Sequence, residues 1–246
     1  MIVFDVGNTS LNCGIEEKGK LIEIIKLPTQ EITFEKLNNF LRNFPSHKTV
    51  IVCSVVPRIT SLFKKIKKRK IVIVGEDIKV PIRCFYNKRQ IGQDRLLSAF
   101  SARKKSPLAR LVIDFGTAIT FDFLSKRGEY LGGIIFPGVG LCFKTLSLNC
   151  ALLPENIRKE KKLSFIPKNT SQSINKGIIE GISILINSWV EKYKKRFSLD
   201  RKEKVIITGG EADLILERLN FSFLYFPHLI LEGLIFLGKE RRIESL

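Results

Sequence analysis

Histidine is almost missing from this 246-residue chain, which has only His47 and His228. The five cysteines, Cys13, Cys53, Cys84, Cys142 and Cys150, are scattered and form no C-x-x-C pair. Together these shortages exclude a zinc centre and a disulfide scaffold and point to a reducing, cytoplasmic setting. His228 follows a proline in an apolar stretch and reads as structural. Long apolar runs are lacking too: even 177–190 carries Glu180 and Asn187, so no membrane span is expected. Met1 is followed by I-V-F-D without a basic leader, so no signal peptide is expected. No Gly-Lys pair is followed by Ser or Thr, and G-x-G-x-x-G does not occur. A P-loop kinase and a Rossmann dehydrogenase are therefore disfavoured.

Acidic residues are in deficit as well, 24 against 42 Lys and Arg, for a net charge of +18. Residues 64–70 read KKIKKRK, and further basic runs fall at 158–162, 192–204 and 239–242. Such a surface attracts polyanions. The phenylalanines, however, sit in apolar runs rather than between the basic clusters, unlike a base-stacking platform. Solvated basic faces are expected, with no specific nucleic-acid site. At 44% hydrophobic residues, the chain buries a core without staples.

What is present is a repeat. I-V-F-D-V-G-N-T-S near the start returns as L-V-I-D-F-G-T-A-I-T near the middle. Asp5 and Asp114, Gly7 and Gly116, and Gly19 and Gly128 are each 109 positions apart. Each copy, 2–27 and 111–136, reads as three antiparallel strands joined by tight turns. After the first copy come a helical stripe over 34–44, a buried strand 50–56, a basic amphipathic stretch to about 69 and a short strand 71–74. After the second come a helix over 171–197, a strand 205–207, T-G-G, and a helix from about 212. Two α/β halves are expected, 1–107 and 108–246, with a cleft between them as a natural ligand site.

An Asp closing a strand before a Gly-bearing turn is chemically suggestive. The carboxylate is a hard oxygen donor for Mg²⁺ or its water. The glycine lets a phosphate approach the backbone, and Asn8, Thr9, Ser10 and nearby N–H groups can donate to it. Asp114, Gly116 and Thr117 repeat the set. Either copy alone is equally a common hairpin turn; the pair at equal strand positions argues for a polyphosphate held from both sides.

These residues resemble the acetate and sugar kinase, actin and heat-shock ATPase superfamily, with its duplicated ribonuclease-H-like halves. Within it the chain is similar to type III pantothenate kinases. The resemblance rests on D-V-G-N-T, S-V-V-P at 54–57, Tyr86-Asn87, G-Q-D-R at 92–95, D-F-G-T-A at 114–118, G-G-I-I-F-P-G at 132–138, Asn169-Thr170 and T-G-G at 208–210. It implies an α/β fold of two similar halves, mixed sheets flanked by helices. It implies ATP-dependent phosphorylation of pantothenate to 4′-phosphopantothenate, the first step of coenzyme A biosynthesis, by a homodimer whose partner subunit closes the substrate site. Asp5, Val6, Gly7, Asn8, Thr9, Ser10, Leu11, Asn12 and Thr117 correspond to ATP contacts. Asp94 corresponds to the general base. Tyr86, Gly92, Gln93, Asp94, Arg95 and Thr170 correspond to substrate contacts, and Asp114 to a monovalent cation site, K⁺ or NH₄⁺, beside the Mg²⁺ that accompanies ATP. Gln93 stands where the family usually has Ala, and Ile119 where it often has Thr. Some relatives were first described as transcription accessory factors (the Bvg accessory factor type), which is the alternative function.

The chemistry is consistent with those positions. A primary alcohol needs a carboxylate to accept its proton as it attacks phosphorus, a role open to Asp94. The planar, always charged Arg95 suits a carboxylate. Bland readings stand beside these. Asp94 and Thr170 each sit where a helix cap belongs, Arg95 could form a surface ion pair, Tyr86 could be a half-buried core ring, and Gly132, Gly133 and Gly138 could be turns.

Overall fold

The computed structural model describes all residues except 46–47, 88, 155, 201 and 242–246. His47, and Arg201 and Arg242 of the basic runs, lie outside the described residues. The chain divides into two compact units. One comprises Met1–Pro107, Leu124–Gly132 and His228–Leu246; the other comprises Leu108–Phe123 and Gly133–Pro227.

In the first unit, β1 (Ile2–Val6), β2 (Ser10–Glu17) and β3 (Lys20–Pro28) form the antiparallel set read from the sequence. β4 (Val50–Ser54) and β5 (Ile71–Ile73) add in parallel, giving the order β3-β2-β1-β4-β5. Strand alternation sorts the two faces. Ile2, Phe4, Val6, Val50 and Val52 pack with Leu37, Leu41, Ile59 and Phe63 of α1 (Phe34–Arg42) and α2 (Pro57–Lys64). On the opposite face run α3 (Gln93–Lys105) and the C-terminal helix α7 (Leu229–Glu240), which pack on one another and on β4. Asp5 and Cys53 alternate onto that second face, paired with each other across β1 and β4.

The second unit repeats the plan. β6 (Ala109–Phe115) pairs antiparallel with β7 (Ala118–Leu124), and β8 (Tyr130–Pro137) adjoins β7. β9 (Lys204–Thr208) and β10 (Phe223–Tyr225) add in parallel. The order is β8-β7-β6-β9-β10, that of the first sheet. Gly19 and Gly128 hold matching positive φ angles of 82° and 83°, as the repeat requires of a tight turn. Leu111, Ile113, Phe115, Phe121 and Ile207 bury one face beneath α4 (Val139–Asn149), α5 (Thr170–Asn175) and α6 (Gly181–Arg196).

Three expectations change. The helix expected over 171–197 is α5, a π turn at Lys176–Glu180, then α6. Gly177 lies within that turn and Gly181 follows it, both weak helix formers, and buried Asn175 spends its side chain on Arg158 O, Ser171 O and Glu160 N–H. The helix expected from 212 is two 3₁₀ turns, Ala212–Leu214 and Leu216–Arg218. Asn187 ends them by donating to Arg218 O and accepting from Asn220 N–H. The basic stretch after β4 is helical only over Pro57–Lys64. Beyond it Arg69 donates to four carbonyls, those of Leu41, Phe44, Pro45 and Lys48, and so closes the end of α1.

Candidate active site

The first Asp-x-Gly turn is held open by its own backbone. Gly7 N–H donates to Ser10 O at 3.0 Å, and the buried Thr29 hydroxyl donates to Gly7 O at 2.7 Å. Thr29 N–H donates to Thr9 O at 3.1 Å. Thr29 had no signal in the sequence, because the strand β3 that delivers it lies two hairpins away. Asn8 and Thr9 stand exposed at the tip, while Val6 and Leu11 are buried beneath. Ser10 opens β2, and Asn12 donates to the Asp5 carboxylate at 3.4 Å.

Asp94 sits in the first turn of α3, close enough to Asp5 for their charges to repel. The cap of α3 is Gly92, and Asp94 Oδ1 accepts instead from Arg95 N–H at 2.9 Å. The capping alternative for Asp94 is thereby corrected: the carboxylate lies two residues past the cap, inside the first turn. A Cβ on Gly92 would collide with Asp94 Oδ1, so the glycine makes room for the carboxylate. Burial pushes Asp5 up to about 7, with Asp94 adding to the rise and Asn12 opposing it. Burial likewise raises Asp94, against the lowering pull of Arg95. Cys53, opposite Asp5 in register, is pushed well up by burial and both carboxylates; it is a buried neutral thiol. Gln93 lays its side chain on Gly75, where a Cβ would stand 2.7 Å from Gln93 Cγ.

Beside this pair lies an aromatic corner. The half-buried Tyr86 ring meets Tyr130 edge to face at 6.4 Å, and Arg95 Cζ lies 5.9 Å from both ring centres. Arg95 is buried, which corrects the surface ion-pair reading.

The second turn, in the other unit, is built differently. Gly116 N–H donates to Ala118 O at 3.2 Å, leaving Thr117 exposed. Gly138, at the cap of α4, donates its N–H to Thr117 O at 3.0 Å, and a Cβ there would stand 2.5 Å from that oxygen. Gly209 of T-G-G has φ +98°, and its Cβ would stand 2.5 Å from Asp114 Oδ1. Gly209 thus brings bare backbone up against the Asp114 carboxylate. Glu211, which the sequence reading passed over, joins the parts. Its N–H donates to Phe115 O, its carboxylate accepts from Gly140 N–H of α4 at 2.9 Å, and Lys159 pairs with it. The only hint was its place directly after T-G-G.

Thr170 opens α5 as its first helical residue, and the cap is Asn169, whose side chain accepts from Gln172 N–H. Thr170, Asn169, Lys168, Ser173, Leu146 and Leu153 line a cavity of about 580 Å³ in the second unit. Among the described residues no group of three or more His, Cys, Asp or Glu could hold a metal ion. Asp5 and Asp94 are thus a two-carboxylate set, and a divalent ion there would draw its remaining oxygen donors from phosphate and water.

Two mixed sheets of equal strand order, each with an Asp-x-Gly turn on its central strand, define an actin-like ATPase and sugar kinase fold. Solved structures agree. An activator of 2-hydroxyisocaproyl-CoA dehydratase from Clostridium difficile superposes with a TM-score of 0.55 at 13% identity, over 100% of this chain and 97% of its own. A Campylobacter jejuni protein, provisionally described as a Baf family transcriptional activator, gives 0.65 at 20% identity, covering 99% and 100%. The sequence profile of type III pantothenate kinase matches residues 1–192. Type III pantothenate kinases of Sulfurihydrogenibium sp. and Persephonella marina are 32% and 34% identical, over 97% and 94% of this chain and 99% and 94% of their own lengths. The chain belongs to the type III pantothenate kinase family.

Proposed function

We propose that the protein transfers the γ-phosphoryl group of ATP to the terminal hydroxyl of pantothenate, giving 4′-phosphopantothenate at the start of coenzyme A biosynthesis in the cytoplasm. The observation that carries this is the Asp5–Asp94 pair: two half-buried carboxylates at the end of β1 and the start of α3, in a chain matched by the family profile over 1–192. Asp94 accepts the hydroxyl proton as the oxygen attacks; its raised pKa brings it nearer the alcohol's needs than an ordinary carboxylate. The turn from Gly7 to Ser10 and Thr117 offer hydroxyls, amides and bare glycine backbone to phosphate oxygens. Asp5 is the residue to hold Mg²⁺, which when bound neutralises phosphate charge. Asp114, with the Gly209 backbone against it, is the residue to hold K⁺ or NH₄⁺. Arg95 takes the pantothenate carboxylate, with Tyr86, Gly92 and Gln93 beside it. Thr170 contacts substrate at its cavity, on a surface we assign to a second copy of the chain. Residues 1–107 and 108–246 are the duplicated halves, the terminal helix α7 returning onto the first.

A coupled assay of ADP release with pantothenate, Mg²⁺ and K⁺ tests this. Asp94→Asn is expected to lose at least about 100-fold in kcat while ATP binding persists. Asp114→Ala is expected to flatten the response to K⁺. A wild-type rate in Asp94→Asn would remove the base, and no pantothenate-dependent ADP release by the wild type would remove the function.

A further inference from the structure

Tyr130 is completely buried, in the hairpin tip that groups with the first unit, and the proposed function gives it no role. Its backbone carries the segment that presents Tyr86. Tyr130 N–H donates to Arg83 O at 2.8 Å, and Phe85 N–H donates to Tyr130 O at 2.9 Å. Two residues on, Gly132 at φ +142° lies beside the Tyr86 ring, where a Cβ would stand in ordinary contact, 3.7 Å from Tyr86 Cδ2. The two tyrosine rings stand at 83° to one another, and the Arg95 guanidinium carbon is equidistant from their centres at 5.9 Å. Both separations fall within the roughly 6 Å reach of a cation–π contact. A guanidinium set against two mutually perpendicular rings is restrained in both swing and tilt. A long side chain fixed in this way loses little further freedom when its fork engages a carboxylate.

We propose that Tyr130 is a positioning residue for acceptor recognition, its ring holding the Arg95 guanidinium in the orientation that receives the carboxylate of the acceptor. The proposal rests on the reading of Arg95 as the contact for the pantothenate carboxylate. It locates part of the acceptor specificity on a residue that need not touch the acceptor at all.

The test uses the full-length chain and three variants, Tyr130→Leu, Tyr130→Phe and Arg95→Ala, with the double variant of Leu and Ala. Tyr130→Leu is expected to raise the KM for pantothenate about tenfold, the scale of one lost buried cation–π contact, while the KM for ATP stays within about twofold of wild type. Tyr130→Phe, which keeps the ring face, is expected to restore wild-type KM. In the Arg95→Ala background Tyr130→Leu is expected to add nothing, since the coupled partner is gone. A wild-type KM in Tyr130→Leu alongside a raised KM in Arg95→Ala would overturn the proposal and leave the Arg95 reading standing. An unchanged KM in Arg95→Ala would overturn both. Should Tyr130→Leu fail to fold, Tyr130→Met takes its place with the same two outcomes, since it too removes the ring while filling the core; a tenfold rise in Tyr130→Phe would overturn the proposal by assigning the effect to the hydroxyl and not to the ring.

Discussion

Two carboxylates within repulsive range in a half-buried place are an expensive arrangement for a folded chain, and Asp5 shows the consequence. Its folded pKa of about 7 lies above the ordinary 3.8, so between those values the native state holds a proton that the unfolded chain has released. Stability from this group is therefore full below about pH 4 and declines as pH rises toward 7. Asp5→Asn is expected to remove that decline, gaining on the order of 1–3 kcal/mol over wild type at pH 8 and little at pH 4. Urea unfolding at both pH values, without nucleotide or metal, checks this. An equal effect at the two values would deny the buried-carboxylate account. Cys53 beside the pair shows how chemistry is restrained at the same scale. Burial and two nearby acids keep its thiol protonated, hence unreactive.

At the scale of elements, each Asp-x-Gly turn is held by a part from elsewhere in its own unit. Thr29 from the end of β3 fastens the first; Gly138 of α4 and the T-G-G turn after β9 fasten the second. Gly209 combines two constraints, a left-handed φ and Phe115 backbone directly over its missing Cβ. Gly209→Ala is expected to cost at least about 2 kcal/mol, read as a lowered denaturant midpoint, and to weaken the response to K⁺ by shifting Asp114. A neutral alanine would show that the turn has slack. The strand elements were legible in advance because alternation and glycine turns are local signals; Gly19 and Gly128 fall in matching turns as their spacing requires. The region after T-G-G was misread. Apolar spacing there resembles a helix, but Asn187 reaches from α6 to stop the winding, and no local pattern reveals such a tether.

For the whole molecule, a charge of +18 invites a nucleic-acid reading, yet parts of the densest basic run are already occupied. Arg69 is spent on four carbonyls and Lys64 pairs with Glu76. No helix among the described residues is long and apolar enough to cross a membrane. The apolar surface is the more telling feature. Leu148 is 71% exposed, Leu152 98% and Phe165 86%, with Ile184 and Trp189 also open, all in the second unit. Exposed apolar side chains are candidates for burial against a second copy, the homodimer that the proposed function includes. Sedimentation is expected to give twice the 28.1 kDa chain mass, with Leu148→Glu shifting the protein toward monomer. A wild type sedimenting at the chain mass would refute the assignment.

Sequence alone determined the duplication, the sheet strands other than β10, both Asp-x-Gly turns and the motif order that the family profile shares. All of these arise from interactions between near neighbours: pleat alternation, turn sterics and one-sided burial. Only the tertiary structure decided that Asp5 and Asp94, 89 positions apart, share one half-buried place, that Tyr130 flanks Arg95, that Glu211 joins three backbone segments and that α7 packs with α3. Those pairings depend on strand register and on which helix covers which face, and such long-range choices leave no periodic trace in the chain.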